Sequence, residues 1–348
     1  MIFTPYAALY TLTLMFPELF KIPFVDLTVK SYGLMMVIGF LSAVSLIRRL
    51  SRNITPDPQL ITNAALYSLI AGVVGARLFY VVHYFSQFRG NLLSIFAIWH
   101  GGLELLGGVF LAIAVIAAYI RYHKLPMRQY LDILAVGLML ALVFGRVGCL
   151  LNGCCFGKPS SIPWTIRFPY GSLAYRSQVF PNLQRNRPLP QLMLPAEFFD
   201  YSDNAGIRYS DLKPFESLNI QQKEMVTNGH YRCLPVHPTQ LYESAMAMLG
   251  CLILYLLWRS SQLRVNNPNT RFCKSGNTFG MMFIVYGTSR FFMEFLRDDN
   301  PLNKFDNLTI SQHISLAMLV IGTVLIIVFR KMKPDRIVDK IRRNGSMD

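Results

Sequence analysis

The sequence predicts an all-α polytopic membrane protein with about seven transmembrane helices and a small extracytoplasmic head domain. Of its 348 residues, 53% are hydrophobic and only 15% are charged, and the mean hydropathy is +0.35. A soluble domain usually carries about 25% charged residues. Seven apolar runs are each near the length that crosses about 30 Å of hydrocarbon. They lie at 29–47, 61–85, 93–120, 130–152, 238–258, 277–297 and 309–329.

These runs divide the chain into five parts. Residues 1–28 are predicted to form an N-terminal segment at the membrane interface, because residues 1–20 are apolar and lack the basic residues of a secretory signal. The first four transmembrane helices fill 29–152, and the last three fill 238–330. The stretch 153–237 mixes proline, asparagine, tyrosine and charge, and it is the predicted head insertion. Residues 331–348 form a basic tail.

The distribution of positive charge predicts the orientation of the helices. The net charge of +15 is concentrated in alternate loops and in the tail, while the other loops are poor in charge or acidic. Because cytoplasmic loops of membrane proteins are rich in lysine and arginine, this alternation predicts an outside N-terminus and a cytoplasmic C-terminus. It also argues against nucleic acid as a partner, since the charge lies in short segments flanking apolar runs.

Four arginines lie inside the apolar runs, at positions 77, 146, 290 and 297. A guanidinium keeps its charge, so it costs several kcal/mol in a bilayer unless an anion or water receives it. Arg290, Glu294 and Arg297 are spaced to share one helical face. An internal Arg290–Glu294 ion pair is the structural alternative, but it is expected to leave Arg146 and one other arginine without a carboxylate. Two converging guanidiniums suit a phosphate, and phospholipid head groups supply one.

Two further features have open interpretations. The paired glycines at 101–102 and 107–108 allow either close helix packing or close approach to a ligand. The six cysteines lack the spacing of a zinc site. Inert burial is the favoured interpretation of the cysteines, with a disulfide between Cys233 and the Cys154–Cys155 pair as an alternative.

Five motifs follow one another near the outer ends of the predicted spans. They read YGLM at 32–35, WHGGLELLGG at 99–108, GRVGCLLNGCCFG at 145–157, HPTQLYE at 237–243 and YGTSRFFMEFLR at 286–297. In this order and spacing they resemble the bacterial phosphatidylglycerol–prolipoprotein diacylglyceryl transferase family, from about Lys21 to about Phe329. Residues 145–157 are similar to the family signature G-R-x-x-N-F-x-N-G-E-x-x-G.

The resemblance implies an enzyme of the bacterial inner membrane that needs no cofactor or metal. It would move the diacylglyceryl group of phosphatidylglycerol to the lipobox cysteine thiol of a preprolipoprotein and release glycerol phosphate. Arg146 and Arg290 would hold the phosphate as the C–O bond breaks. The implied catalytic residues are Arg146, Arg290, Tyr286 and His100. The implied substrate-binding residues are Tyr32, Arg77, Gly107, Gly108, Asn152, Gly157, Gln240, Glu243, Glu294 and Arg297.

The chain departs from the family at three positions that concern proton transfer. Leu106 stands where the family has a histidine, and Cys149 and Cys154 stand where it has asparagine and glutamate. The group that takes the thiol proton is therefore open between His100, Glu104, Tyr286 and a positive field alone. The loss of the histidine also motivates an alternative, a catalytically inactive relative that binds anionic phospholipid, or a lipid transporter.

Overall fold

The computed structural model describes residues 15–22, 27–55, 57–88, 92–96, 102, 104–204, 207–263, 274–303 and 305–332. The chain folds as two compact units. Unit 1 consists of residues 1–40, 139–253 and 281–324, and unit 2 consists of residues 41–138, 254–280 and 325–348.

Five helices of the described chain are long and apolar enough to cross a membrane. They are α1 (Ser31–Ser51), α2 (Gln59–His83), α4 (Met127–Asn152), α7 (Thr239–Leu263) and α9 (Ile310–Lys331). Two other helices coincide with predicted spans: α3 (Leu105–Tyr122) is apolar but shorter, and α8 (Asn277–Met293) has 17 residues. The protein is therefore a helical membrane protein, as predicted, while a total of seven spans stays a prediction.

The N-terminal segment contains a β-hairpin, which the prediction of an amphipathic interfacial segment did not include. Strand β1 (Glu18–Ile22) pairs antiparallel with β2 (Leu27–Lys30), and α1 begins at the next residue. The backbone N–H of Phe16 donates to the carbonyl of Leu151 at 2.9 Å, so this segment contacts the end of α4 in unit 1. Residues 1–14 and 23–26 lie outside the described residues.

The prediction for the third span, 93–120, is wrong in its first part. Residues 92–96 form a separate 3-10 turn, and α3 begins only at Leu105. Gly102 has a φ of +72°, which an α-helix does not accommodate. An α-helix therefore does not continue through Gly102.

Arg77 of α2 supports the backbone that leads into α3. Its Nε donates to the carbonyl of Ile95 at 2.7 Å, its Nη1 to Gly102 at 2.9 Å and its Nη2 to Ser94 at 2.6 Å. Carbonyl groups outside an α-helix need other donors in apolar surroundings, and one guanidinium supplies three of them. Arg77 is thus embedded in unit 2 as a brace for non-helical backbone.

Glycines allow α2 and α3 to approach each other closely in unit 2. A Cβ atom on Gly75 would lie 2.5 Å from the carbonyl oxygen of Gly107, and a Cβ on Gly108 would lie 2.7 Å from that of Gly72. These distances are far below ordinary contact, so the glycines serve the packing of small residues that is common between membrane helices. Of the two interpretations left open for Gly107 and Gly108, packing has direct support.

Asp132 of α4 fixes the start of α8 in unit 2. Its carboxylate accepts the backbone N–H groups of Gly276 at 2.7 Å and Phe279 at 2.9 Å. The first turn of a helix has unpaired N–H groups and a partial positive charge, so a carboxylate satisfies both. The predicted sixth span, 277–297, is too long at its other end, because α8 stops at Met293 and a 3-10 turn follows at Glu294–Leu296.

The stretch 153–237 forms a small mixed structure in unit 1. It contains α5 (Leu173–Val179), α6 (Ile220–Thr227) and an antiparallel hairpin of β3 (Phe199–Asn204) and β4 (Ile207–Leu212). Its core includes Phe168, Tyr175, Val179 and Val236. The two hairpins of the described chain make the fold mainly helical and not strictly all-α.

Cys233 belongs to this core and is a free thiol, so the alternative of a disulfide with Cys154 or Cys155 is wrong. Its sulfur lies 3.5 Å from the side-chain oxygen of Gln178. Burial raises the pKa of the Cys233 thiol to about 11, which keeps it protonated and unreactive at neutral pH.

Candidate functional site

A small pocket lies in unit 1, where side chains of α4, α7 and α8 converge. Three of its lining residues are apolar and five are polar or charged. The lining residues are Met139, Leu142, Arg146, Glu243, Ala247, Tyr286, Ser289 and Arg290. This is the pattern of a ligand site, in which a few polar groups converge within an apolar wall.

Glu243 is the centre of the charged network around this pocket. Its carboxylate lies 2.8 Å from Arg146 Nη1, 2.9 Å from Arg290 Nη1 and 3.1 Å from Arg297 Nη1. The three arginines come from α4, from α8 and from the segment after α8, and Glu243 sits in the second turn of α7. One buried carboxylate therefore draws three separate elements together.

Arg290 has further partners on its own helix and on α9. Its Nη1 lies 2.7 Å from the carboxylate of Glu294, and its Nη2 donates to the hydroxyl of Ser311 at 3.0 Å. The predicted Arg290–Glu294 ion pair is thus present, although Glu294 belongs to the 3-10 turn and not to a regular helical face. The side chain of Glu294 is fully buried.

Arg297 is held by carboxylates on two sides. Its Nε and Nη2 donate to the two oxygens of Asp299 at 2.9 and 2.6 Å, and its Nη1 donates to Glu243. The next residue, Asp298, pairs with Arg187 at 2.7 Å. A bidentate pair of this kind fixes the plane of the guanidinium, so Arg297 is a rigid part of the network.

The expectation that Arg146 and one other arginine lack a carboxylate is wrong. Arg146, Arg290 and Arg297 face Glu243, Glu294 and Asp299, so the formal charges of this set balance. The pairing is unequal, however. Among the described residues, the polar contacts of Arg146 all involve Nη1, and those of Arg290 involve Nη1 and Nη2. Nε and Nη2 of Arg146 and Nε of Arg290 remain as donors at the pocket.

The turn after α4 is fixed by buried side chains at the start of α7. The hydroxyl of Thr239 donates to the carbonyl of Cys155 at 2.7 Å, and Nε2 of Gln240 donates to that of Cys154 at 2.6 Å. Thr239 and Gln240 are both completely buried. Gln240, predicted to bind substrate, thus has a structural contact, and its direct role toward a substrate stays a prediction.

Gly157 lies where two segments approach too closely for a side chain. A Cβ atom at this position would lie 2.6 Å from the carbonyl oxygen of His237. Gly157 also forms an antiparallel bridge with Arg297, flanked by a hydrogen bond of 2.8 Å from Lys158 to Leu296. Gly157 therefore helps to place the backbone that carries Arg297.

The other predicted residues have different surroundings. Tyr32 is 40% exposed at the start of α1 and packs beside Gly148 of α4, and Asn152 ends α4 in unit 1. Arg77, Gly107 and Gly108 belong to unit 2, where they serve as the brace and packing residues described above. Their contact with substrate stays a prediction.

The candidates for proton transfer are only partly described. His100 lies outside the described residues. Leu106, at the position of the family histidine, is 60% exposed on α3. Glu104 Oε2 lies 3.4 Å from Nδ1 of His83 in unit 2, and Tyr286 lines the pocket in unit 1.

Sequence reasoning did not single out several residues of the site. Asp299 lies in a loop that was described only as acidic, Ser289 and Thr239 lie inside quoted motifs without a role, and Ser311 lies outside those motifs. The signal for Asp299 was its position two residues after a buried arginine. The hydroxyl groups carried no such signal, because serine and threonine are common in helices of membrane proteins.

The arrangement is able to bind an anion with several directed hydrogen bonds. Arg146 and Arg290, each with guanidinium nitrogens that no carboxylate occupies, line the same pocket as Tyr286 and Ser289, whose side chains carry hydroxyl groups. Donors held rigidly by buried carboxylates need little reorganisation when negative charge develops beside them.

Comparisons with known proteins agree with this chemistry. Residues 17–328 match the family model described as prolipoprotein diacylglyceryl transferase. The chain is similar to the phosphatidylglycerol–prolipoprotein diacylglyceryl transferase of Synechococcus elongatus, with 28% identity over 89% of this chain and 87% of the relative. The proteins of the same name from Clostridium tetani and Rhodospirillum rubrum are 27% and 28% identical. Each alignment covers 88% of this chain, and these cover 94% and 90% of the two relatives.

Proposed function

Because the chain belongs to the prolipoprotein diacylglyceryl transferase family, we propose that it transfers the diacylglyceryl group of phosphatidylglycerol to the lipobox cysteine thiol of preprolipoproteins. Glycerol phosphate is the other product. The observation that carries this proposal is the pocket where Arg146 and Arg290 meet Glu243 beside Tyr286.

The chemistry of the leaving group explains why arginines are useful here. The thiol sulfur attacks the glyceryl carbon that is bonded to a phosphate oxygen, and the C–O bond breaks. A phosphodiester with one negative charge thereby becomes a phosphate monoester with up to two. Arg146 and Arg290 stabilise this added charge through N–H groups that their carboxylate partners do not occupy, and Tyr286 adds a hydroxyl donor.

The balanced charge of the network has a further consequence. Glu243 and Glu294 stabilise two guanidiniums at a depth where bare cations would be costly. The pocket can therefore exist before the lipid arrives. We propose that the head group supplements these ion pairs and does not replace a missing carboxylate.

We propose the following topology for this activity. Seven spans, which include α3 and α8, place the N-terminus outside the inner membrane of a bacterium and the basic C-terminal tail in the cytoplasm. Residues 153–237 form an extracytoplasmic head. Both substrates are membrane-anchored, so they enter from the side through gaps between helices.

Reporter fusions test this topology. A periplasmic phosphatase fused after residue 217 is expected to be active, and the same enzyme fused after residue 332 is expected to be inactive. The opposite pair of results would reverse the orientation, and activity at both sites would mean an even number of spans between them.

The transfer reaction is tested with purified full-length protein in detergent. Phosphatidylglycerol labelled in its glycerol head group and a peptide with a lipobox cysteine are expected to yield a lipidated peptide and free labelled glycerol phosphate. A peptide with serine in place of that cysteine is the matched control and is expected to give neither product. Absence of both products with fresh lipid and a competent peptide would contradict the proposal.

One observation favours a second candidate, an inactive relative that binds anionic phospholipid. Leu106 cannot accept a proton, and it occupies the position where the family has histidine. This candidate predicts phosphatidylglycerol that copurifies tightly with the protein but never releases glycerol phosphate. The product assay therefore separates the two functions.

A further inference from the structure

Three cysteine side chains converge at the end of α4. Cys149 lies in the last turn of this helix, and Cys154 and Cys155 follow it. Their three sulfur atoms all lie within 4.8 Å of one another. Inert burial, the favoured interpretation of these cysteines from sequence, does not require the sulfurs to meet, so the cluster needs its own explanation.

The backbone is built to bring the sulfurs together. Gly153 has a φ of +72° and Cys155 a φ of +59°, so two of the three residues 153–155 are left-handed. A left-handed conformation costs roughly 1–2 kcal/mol for a residue with a Cβ. The buried Thr239 and Gln240 hold the carbonyls of Cys155 and Cys154 in this turn. Such strain persists where the surroundings over-determine it, which is typical of functional positions.

The cluster lies beside positive charge and is partly exposed. Arg146 Nη1 is 3.9 Å from the sulfur of Cys155, and Arg146 also lines the pocket. Cys149 is buried, whereas Cys154 and Cys155 are only partly buried. A neighbouring guanidinium favours the anionic form of a thiol cluster, and the partial exposure leaves room for another ligand.

The distances between the sulfurs suit a thiophilic ion. A zinc–sulfur bond is about 2.3 Å long, so two sulfurs on tetrahedral zinc lie about 3.8 Å apart. The observed limit of 4.8 Å requires each side chain to shift by less than about 1 Å. Three protein ligands with an open fourth position are the arrangement of catalytic and not of structural zinc sites.

We propose that Cys149, Cys154 and Cys155 bind one Zn²⁺ ion, whose fourth position takes the lipobox thiol of the substrate. This inference rests on the proposed function, which supplies a thiol as the nucleophile. A thiol that coordinates Zn²⁺ loses its proton, so the step needs no histidine. The metal site would thus activate the thiol in place of the family histidine, whose position Leu106 occupies.

The step balances without an oxidant or a reductant. The thiol proton goes to solvent when the sulfur coordinates the ion. The sulfur then donates an electron pair to the glyceryl carbon, a C–S bond forms, and the C–O bond to the phosphate breaks. The electron pair of the broken C–O bond leaves on the phosphate oxygen of glycerol phosphate, and the thioether, a weaker ligand than a thiolate, is released.

The binding test uses Co²⁺ as a spectroscopic probe in full-length protein purified with a histidine-free tag and reduced with a phosphine. We expect about one Co²⁺ per chain and an intense thiolate-to-cobalt charge-transfer band, which Zn²⁺ abolishes by competition. A lipobox peptide is expected to intensify the band, and the peptide with serine in place of cysteine is not.

Variants identify the ligands. Cys154→Ser and Cys155→Ser are each expected to weaken Co²⁺ binding at least about 10-fold, since a metal ligand is lost. Cys251→Ala in α7 removes a buried cysteine outside the cluster and serves as the matched control. Should a serine variant fail to fold, Cys149→Asn with Cys154→Glu restores the family residues at both positions and is expected to remove the band.

The transfer rate with and without the ion measures thiol activation directly. A free cysteine with a pKa of about 8.5 is about 3% thiolate at pH 7, so removing the ion is expected to lower the transfer rate about 30-fold. Added Zn²⁺ should restore the rate in the parent protein and in Cys251→Ala, but not in Cys154→Ser.

Several results would overturn the inference: no stoichiometric Co²⁺, a charge-transfer band that persists in the cysteine variants or ignores the peptide thiol, or a disulfide within the cluster that re-forms after reduction. Equal transfer rates with and without the ion would also overturn it and would leave the proposed function intact. If neither form transfers lipid, the proposed function fails, while the Co²⁺ titration still decides the metal site.

Discussion

Arg77 and Arg290 look alike in the sequence, since each is an arginine inside an apolar run, but their surroundings differ. The three nitrogens of the Arg77 guanidinium donate to the backbone carbonyls of Ser94, Ile95 and Gly102, which precede α3 in unit 2. Arg290 pairs with two carboxylates and a hydroxyl at a pocket in unit 1. A charge in an apolar run therefore marks either a brace for irregular backbone or a binding site, and only its neighbours distinguish them.

The largest expected effect separates the two arginines by activity. Arg290→Lys keeps the charge but loses the planar set of donors, so we expect the transfer rate to fall about 100- to 1,000-fold. The rate per folded molecule of Arg77→Lys should stay within about threefold of the parent, because its donors serve the backbone. Product formation by mass spectrometry, normalised to folded protein, measures both.

Arg176→Lys is the matched control for this pair of variants. Arg176 makes an exposed ion pair with Asp211 at 2.6 Å. Exposed pairs contribute little, so neither activity nor stability should change measurably. Equal losses of activity in Arg77→Lys and Arg290→Lys would break the comparison.

The second effect concerns the carboxylate that the site arginines share. Glu243→Gln removes the charge that faces Arg146, Arg290 and Arg297, and leaves buried cations under-compensated. We expect the free energy of unfolding to fall by about 3 kcal/mol, which is the usual cost of removing one partner from a buried ion pair. Thermal unfolding in detergent measures the change.

Glu197→Gln, in the stretch 153–237 and remote in sequence from this network, controls for the loss of one negative charge. If Glu243→Gln unfolds at the temperature of the parent protein, then this carboxylate does not contribute to the free energy of unfolding, despite its central position. A transfer rate close to that of the parent would further contradict its role in holding the arginines.

The third effect tests Arg77 as a structural brace. Arg77→Lys can replace one of the three donors at most, and each buried carbonyl left without a donor costs about 1–3 kcal/mol. We expect a loss of about 2 kcal/mol in the free energy of unfolding, with the transfer rate of the folded fraction preserved. Unchanged stability combined with a lower affinity for phosphatidylglycerol would instead make Arg77 a lipid-binding residue.

The smallest effect comes from the glycines that let α2 and α3 meet. A methyl group on Gly75 would press against the carbonyl of Gly107, so Gly75→Ala is expected to cost about 1–2 kcal/mol through overpacking. Gly33→Ala is the matched control, because a Cβ at Gly33 meets nothing within 4 Å. Equal unfolding temperatures for the two variants would mean that the helices separate at little cost.

Much of the fold could be predicted from the sequence, since apolar length and flanking charge are local properties. The boundaries of α2, α4 and α9 lie within a few residues of the predicted spans. The prediction of the third span was wrong at its start, because hydropathy does not detect a left-handed glycine such as Gly102, where an α-helix cannot continue. The predicted end of the sixth span was wrong for a related reason, because Glu294 belongs to a 3-10 turn that follows the α-helix.

Four residues that the sequence singles out lie at the candidate site, but the sequence did not reveal how they pair. Arg146, Glu243, Tyr286 and Arg290 line one pocket. Arg146 and Glu243 are 97 positions apart and Glu243 and Tyr286 are 43 positions apart, and no local pattern relates residues at such separations. The sequence therefore could not reveal that one carboxylate faces three guanidiniums. Likewise, the five-residue gap between Cys149 and Cys154 resembles no known ligand spacing, yet two left-handed residues close it.

The sequence by itself determined that this chain is a membrane protein. It also determined which runs are helical and which family the motifs belong to. Those properties depend on composition and on residues that are near one another along the chain. Only the tertiary structure decided which buried arginine braces a backbone, which arginines share a carboxylate and which thiols meet. Such partnerships join distant segments, and their energies depend on distances of a few ångströms that no spacing along the chain specifies.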